Sequence, residues 1–104
     1  MRIFHVSTAA DWGEAQRTGA YTTSTIGVTL EQEGYLHASR EEQWRGVFDR
    51  YYADVTEPLV LLEIETDLLD VPWVEELPHP EASETFPHIY GPLSPAAVVA
   101  ATPL

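Results

Sequence analysis

The sequence has no cysteine and no lysine among its 104 residues. Without cysteine, disulfide bonds, thiolate catalysis, iron–sulfur clusters and cysteine-based zinc sites are excluded. Without lysine, Schiff-base chemistry and a phosphate-binding P-loop lysine are excluded as well. The chemistry of any site must therefore come from histidine, carboxylate, hydroxyl, arginine and aromatic side chains.

Basic residues are scarce, because five arginines face 17 acidic residues and the formal net charge is −12. A chain this acidic repels a phosphate backbone, so we expect no nucleic-acid partner. Long apolar runs are also absent: none approaches the roughly 18 residues of a membrane span, and residues 58–62 suit a buried strand. No signal-peptide core follows Met1, so we expect a cytoplasmic protein without membrane attachment.

Local signals in the first half of the chain predict two helices. Residues 2–6 read as a strand, and Thr8 with Asp11 predicts a helix start that Gly19 ends. Residues 20–33 have no clear period and are interpreted as a loop with a short turn around Leu30. Ser39 and Glu42 predict a second helix start. The amphipathic stripe of this second helix is expected in the core, and its members are Trp44, Val47, Phe48, Tyr51 and Tyr52.

The second half of the chain is rich in strands. Strands are predicted at residues 34–39, 59–65, 71–76, 86–90 and 97–101. Helices early and strands late favour an α+β fold over a doubly wound parallel sheet. The length suits one core. We therefore expect a single domain, residues 1–104, with a mixed or antiparallel twisted sheet of about six strands and two helices.

Three predicted strands each place a histidine beside hydroxyl or aromatic side chains, because side chains alternate along a strand. The three sets are Ile3, His5 and Ser7; Tyr35, His37 and Ser39; and Phe86, His88 and Tyr90. If these faces meet, they form a pocket suited to a polar planar ligand. Alternatively, each histidine only bonds backbone at the rim of the sheet. His79, between two prolines, is expected to be exposed and without a role.

Other catalytic constellations fit the sequence less well. Three imidazoles and a water can form a catalytic zinc site, but no element carries two histidines close together. A metal-dependent hydrolase is therefore the weakest alternative, and no residue is assigned as a metal ligand. No G-x-S-x-G motif and no glycine-rich phosphate loop occur.

Four segments, in this order, resemble a small bacterial family, the domain of unknown function 952. They are residues 3–8, 33–39, 59–64 and 86–93, and the last, F-P-H-I-Y-G-P-L, is specific. The family has a cysteine where this chain has Ala38, so thiol chemistry is not the shared activity of this member. The family's tryptophan–glutamate element resembles Trp73-Val74-Glu75, with one residue between the two.

The resemblance implies a fold similar to the ADP-ribosyltransferases, in particular the RNA 2′-phosphotransferase branch. His5-Val6-Ser7 resembles their H-x-[ST] element, whose histidine bonds a ribose hydroxyl of NAD and whose hydroxyl steadies the nicotinamide side. Tyr35 or His37 matches, by position, the residue that stacks on nicotinamide. The third element is a glutamate near a late strand, which falls here near His88.

The resulting hypothesis is a small enzyme, or an enzyme-derived binder, that holds NAD or a related nucleotide. NAD would be a substrate, and no resident cofactor is required. The catalytic candidates are His5, His37, His88 and Glu75, and the ligand-binding candidates are Ser7, Tyr35, Ser39, Arg40, Glu84 and Tyr90. Arg40 would meet the pyrophosphate, and His88 with a carboxylate would stabilise an oxocarbenium-like centre. The alternative is a non-catalytic module that binds a small ligand or a protein.

Overall fold

A computed structural model describes residues 1–104 as an α+β fold with antiparallel sheets, which confirms the predicted α+β class, and it has three α-helices where two were expected. The strands are β1 Arg2–Thr8, β2 Thr23–Thr25, β3 Val28–Thr29, β4 Leu36–His37, β5 Leu59–Glu65, β6 Trp73–Glu76, β7 Phe86–Ile89 and β8 Val98–Pro103. The α-helices are α1 Ala9–Thr18, α2 Leu30–Glu33 and α3 Trp44–Tyr51, and 3₁₀ turns occupy Thr66–Leu68 and Pro95–Ala97. No helix is long and apolar enough to cross a membrane.

The strands form three antiparallel sheets instead of the single sheet that was expected. The first has the order β1-β5-β8, the second β4-β7-β6, and β2 pairs with β3. The central β5 is apolar enough to lie inside, and its Leu62 and Ile64 are fully buried. The two larger sheets meet where Phe4 and Ser39 exchange two backbone hydrogen bonds of 2.7 and 2.8 Å. This junction brings the predicted histidine strands β1 and β4 together.

Helix α1 begins and ends where the local signals predict. Thr8 accepts a hydrogen bond of 3.0 Å from the Asp11 amide, and Gly19 closes the helix in the left-handed conformation.

Thr8→Ala is expected to lower the free energy of unfolding by about 1 kcal/mol, because one amide at the helix start loses its partner. Urea denaturation measures this loss. The exposed Thr56, which makes no side-chain hydrogen bond, is the control, and an equal loss in Thr56→Ala would contradict the capping role.

Helix α3 differs from its prediction at both its start and its buried face. It begins at Trp44, and Ser39 does not cap it, because the backbone of Ser39 is paired with Phe4. Of the expected core stripe, Tyr52 is buried, Tyr51 is 56% exposed, and the other three members are half-buried against a small cluster of Val6, Tyr52 and Leu59. The helix covers a small cluster around Val6 and otherwise faces open space. Its exposed side is therefore available to form the wall of a cleft.

The segment expected to be a loop with a turn around Leu30, residues 20–33, contains the turn as α2, and it also contains the β2–β3 hairpin, which was not predicted. Thr29 and Gln32 form a reciprocal capping box at the start of α2. Tyr21 is buried and joins this segment to the end of the chain through two backbone bonds to Leu93. The segment is thus part of the packed structure, and it brings a phenol next to β1.

Candidate functional site

A cleft of about 540 Å³ opens among β1, β2, the segment after β4, α3 and the segment before β7. This volume lies within the range of small-ligand sites in proteins. Polar groups on its walls include His5, Ser24, His37, Ser39 and Gln43. The aromatic residues that line it are Phe4, Tyr51, Tyr52 and Phe86. This mixture of apolar surface and a few polar groups is typical of a binding site for a planar polar molecule.

His5 lies in the cleft wall, but both of its ring nitrogens are already hydrogen-bonded. Nδ1 lies 2.5 Å from the backbone oxygen of His37, and Nε2 lies 3.0 Å from the hydroxyl of Tyr21. A carbonyl only accepts, so Nδ1 donates and Nε2 accepts from Tyr21. Burial lowers the pKa of His5 to about 4, which keeps the ring neutral at pH 7. His5 therefore positions the His37 strand and has no nitrogen free for a ribose hydroxyl.

Ser7 and Ser24 are buried hydroxyls that hold backbone groups. Ser7, which was predicted to bind ligand, donates to the Thr8 carbonyl at 2.8 Å and does not line the cleft. Ser24 was not predicted, because it falls in the segment interpreted as a loop. It lines the cleft and donates to the Tyr35 carbonyl at 2.6 Å. Neither hydroxyl is activated as a nucleophile, since neither contacts a histidine nitrogen.

Four of the predicted residues form an aromatic cluster beside the cleft: Tyr35, His37, His88 and Tyr90. His37 and His88 are directly paired across β4 and β7, with ring centroids 5.3 Å apart. Tyr35 stacks on His88 at 4.0 Å with nearly parallel rings. Only His37 belongs both to the cluster and to the cleft lining. Strand alternation therefore predicted a cluster that the structure contains, but three of its four members do not line the cleft.

The carboxylate that serves His88 is Glu76 and not Glu75. His88 Nδ1 lies 2.8 Å from Glu76 Oε1, and the Tyr90 hydroxyl donates to the same oxygen. The hydrogen bond from Tyr90, and to a smaller extent the one from His88, lowers the pKa of Glu76. The bond to Glu76 in turn raises the pKa of Tyr90 to about 12. His88 is only 1% exposed, and its Nε2 has no partner. The register that pairs His88 with Val74 places Glu76 on the histidine face.

Glu75 and Arg40 form a separate polar group at the start of α3. Arg40 Nη1 lies 2.7 Å from Glu75 Oε1, and its Nε lies 2.8 Å from Glu42 Oε2. The Thr85 hydroxyl also donates to Glu75, at 2.9 Å. The Gln43 amide donates to the Thr85 carbonyl at 2.8 Å. This group fastens the segment before β7 to α3, and neither Glu75 nor Arg40 lines the cleft.

The cleft lining includes residues that were assigned a role from the sequence and residues that were not. Glu84 and Ser39 line it, as their predicted ligand-binding roles require. His79 is exposed, as expected, but it also lines the cleft, as do Arg50 and Glu81. The signal that was available for Arg50 is its position on the polar side of an amphipathic helix. That pattern alone does not distinguish a cleft wall from open surface.

The histidines do not form a metal site. Across residues 1–104, no group of three or more histidine, cysteine, aspartate or glutamate residues is arranged to hold a metal ion. His5 is committed to His37 and Tyr21, and His88 to Glu76. The three-histidine hydrolase therefore has no geometric support.

Comparison with known proteins places the chain in a family. The crystal structure of protein CC0527 from Caulobacter crescentus matches with a TM-score of 0.80 at 25% identity, covering 100% of this chain and 86% of that one. The solution structure of CC0527 matches with a TM-score of 0.72 at 25% identity, covering 97% and 82%. Among curated proteins, none matches. Residues 6–101 match the family described as "Protein of unknown function (DUF952)", and the chain belongs to this family.

Proposed function

We propose that this protein binds NAD or a related nucleotide in the cleft, on a fold of the ADP-ribosyltransferase type. The observation that carries the proposal is the composition of the cleft, where His37, Ser39 and Gln43 lie among aromatic side chains in about 540 Å³. Aromatic faces stack on a planar base, and the polar groups can bond its amide and the ribose hydroxyls. The cleft thus supplies both kinds of contact that a nucleotide requires.

His37 is the residue best placed to contact such a ligand. Its side chain is 33% exposed, and its nearest carboxylate oxygen, on Glu33, is 3.8 Å from Nε2 and beyond hydrogen-bond distance. Burial, and then the neighbouring His88, lower the pKa of His37. A neutral imidazole offers one donor and one acceptor. That pair is complementary to a carboxamide such as the one on nicotinamide.

Catalysis is the second candidate, and two unpaired carboxylates favour it. Glu81 and Glu84 line the cleft and make no ion pair, whereas Glu75 and Glu76 are already hydrogen-bonded elsewhere. In a glycosyl transfer, the bond from C1′ to the nicotinamide nitrogen breaks and nicotinamide leaves with the electron pair. Glu84 would stabilise the positive charge at C1′, and the acceptor would bond there and lose a proton. Release of free nicotinamide from NAD distinguishes catalysis from binding alone.

The test is ligand-observed NMR of the purified protein with NAD, ADP-ribose, nicotinamide and AMP. We expect NAD to bind and His37→Ala to weaken its affinity about tenfold, because one donor and one acceptor are lost. Because the His37 ring packs against Tyr35 and His88, circular dichroism checks that this variant folds. Tyr90→Phe, which alters the aromatic cluster but not the cleft, is the control and should bind NAD as the unmodified chain does. No binding of any nucleotide, or equal affinity in His37→Ala, would contradict the proposal.

A further inference from the structure

The five arginines of the protein differ in whether they form ion pairs. Three arginines, Arg2, Arg17 and Arg40, are ion-paired with carboxylates. The other two, Arg45 and Arg50, lie on α3 and make no ion pair. Each guanidinium instead lies over an aromatic ring, Arg45 over Trp44 and Arg50 over Tyr51. In a chain with 17 acidic residues, an arginine without a carboxylate is available to an external anion.

Only one of these two arginines reaches the cleft. Arg50, near the end of α3, lines it, and Arg45 does not. The start of α3 lies next to the segment that carries Glu84, because the Gln43 amide donates to the carbonyl of Thr85, the residue after Glu84. Arg50 is the seventh residue after Gln43, which corresponds to about 10 Å along a helix at 1.5 Å per residue. Glu84 therefore lies toward the start of α3 and Arg50 near its end, and Glu81 lines the same cleft.

We propose that the cleft selects a dipolar ligand, with a phosphate at Arg50 and a cationic ring near Glu81 and Glu84. This inference rests on the proposed nucleotide binding and names the form of nucleotide. An oxidised nicotinamide nucleotide carries both charges, because its pyridinium ring is positive and its phosphate is negative. The reduced form has lost the ring charge, and AMP has no cationic ring. The pyrophosphate contact expected of Arg40 passes to Arg50, because Arg40 is neutralised by Glu42 and Glu75.

The test is titration of the protein with nicotinamide mononucleotide in its oxidised and reduced forms and with AMP. We expect the oxidised form to bind about fivefold more tightly than the reduced form, which is the upper range for an exposed charge pair. Glu81→Gln with Glu84→Gln should abolish that preference, whereas the control Glu57→Gln, outside the cleft, should keep it. Arg50→Gln should weaken both forms by a similar factor, and Arg45→Gln, on the same helix, should weaken neither.

The outcomes separate this inference from the function on which it rests. If both forms bind equally in the unmodified protein, or if the preference survives in the double glutamine variant, the dipolar ligand is wrong and nucleotide binding stands. If Arg45→Gln and Arg50→Gln weaken binding equally, the contact is a general effect of charge, and the assignment of Arg50 is wrong. Absence of binding by all three compounds, together with NAD, overturns both proposals.

Discussion

Gly91→Ala is expected to lower the free energy of unfolding by about 3 kcal/mol, from backbone strain and overpacking together. Gly91 has a φ of +155°, a conformation that L side chains rarely adopt. A Cβ at this position would lie 2.7 Å from Cγ1 and 2.9 Å from Cβ of Val71, closer than real contacts. The two segments are held together because the Tyr90 amide donates to the Pro72 carbonyl at 2.8 Å, and Val71 packs against the core. Urea denaturation followed by tryptophan fluorescence measures the loss.

Gly13→Ala is the matched control for this substitution. Gly13 lies inside α1, and a Cβ there would meet no atom within 4 Å. Alanine is the better helix former, so the control is expected to raise the free energy of unfolding by about 0.5–1 kcal/mol. Opposite signs for the two variants confirm that the effect at Gly91 comes from its surroundings. A loss below about 1 kcal/mol at Gly91 would contradict the steric argument.

Acidification from pH 7 to pH 4 is expected to remove about 3 kcal/mol of stability through His5 alone, since each unit of pKa difference corresponds to about 1.4 kcal/mol. Burial lowers the folded-state pKa of His5 to about 4 from its ordinary 6.5. Between these values the unfolded chain binds a proton that the folded chain does not. Stability therefore rises with pH across this window. The contribution of neutral His5 to the free energy of unfolding is fully present above pH 6.5 and is lost as the pH falls toward 4.

Urea titrations at several pH values check this expectation, and other groups are separable from His5. His37, with its pKa also lowered, acts in the same direction. Glu65, held near pKa 2 by hydrogen bonds from the N-terminal ammonium, the Asp67 amide and Arg2, loses its contribution only below pH 4.5. His5→Gln should reduce the slope above pH 4.5 to the part that His37 contributes, and His79→Gln, at an exposed histidine, is the control. An NMR titration of the unmodified protein gives the His5 pKa directly, and a value near 6.5 would refute the prediction.

The parts of the fold that could be predicted are those with local causes. Thr8, Asp11 and Gly19 define α1 because capping acts over three or four residues. The same rule was wrong for Ser39, because its backbone is paired with the distant Phe4. The capping box of α2 was present in the sequence as Thr29 and Gln32 followed by Gly34, but the surrounding threonines and glycines concealed it. Long-range pairing is what one sequence does not reveal.

The candidate site was predictable to a similar extent. Alternation along the strands correctly placed His37 and His88 on one face, and the register pairs them directly. The choice between Glu75 and Glu76 depended on the register of β6 against β7, which the sequence does not specify. The partner of His5 is Tyr21, from a segment without regular periodicity. Which predicted polar residues reach the cleft is likewise decided by how the sheets meet.

The junction of the two larger sheets at Phe4 and Ser39 also has a consequence for folding order. The cleft wall combines residues 4–6 with residues 78–86, so it is assembled from opposite ends of the chain. Pairings of such large sequence separation carry a high loop-closure entropy and form slowly. Folding intermediates that contain only one sheet have no cleft. A ligand that binds in the cleft, as proposed, would therefore bind only the completed fold and would stabilise only the fully assembled protein.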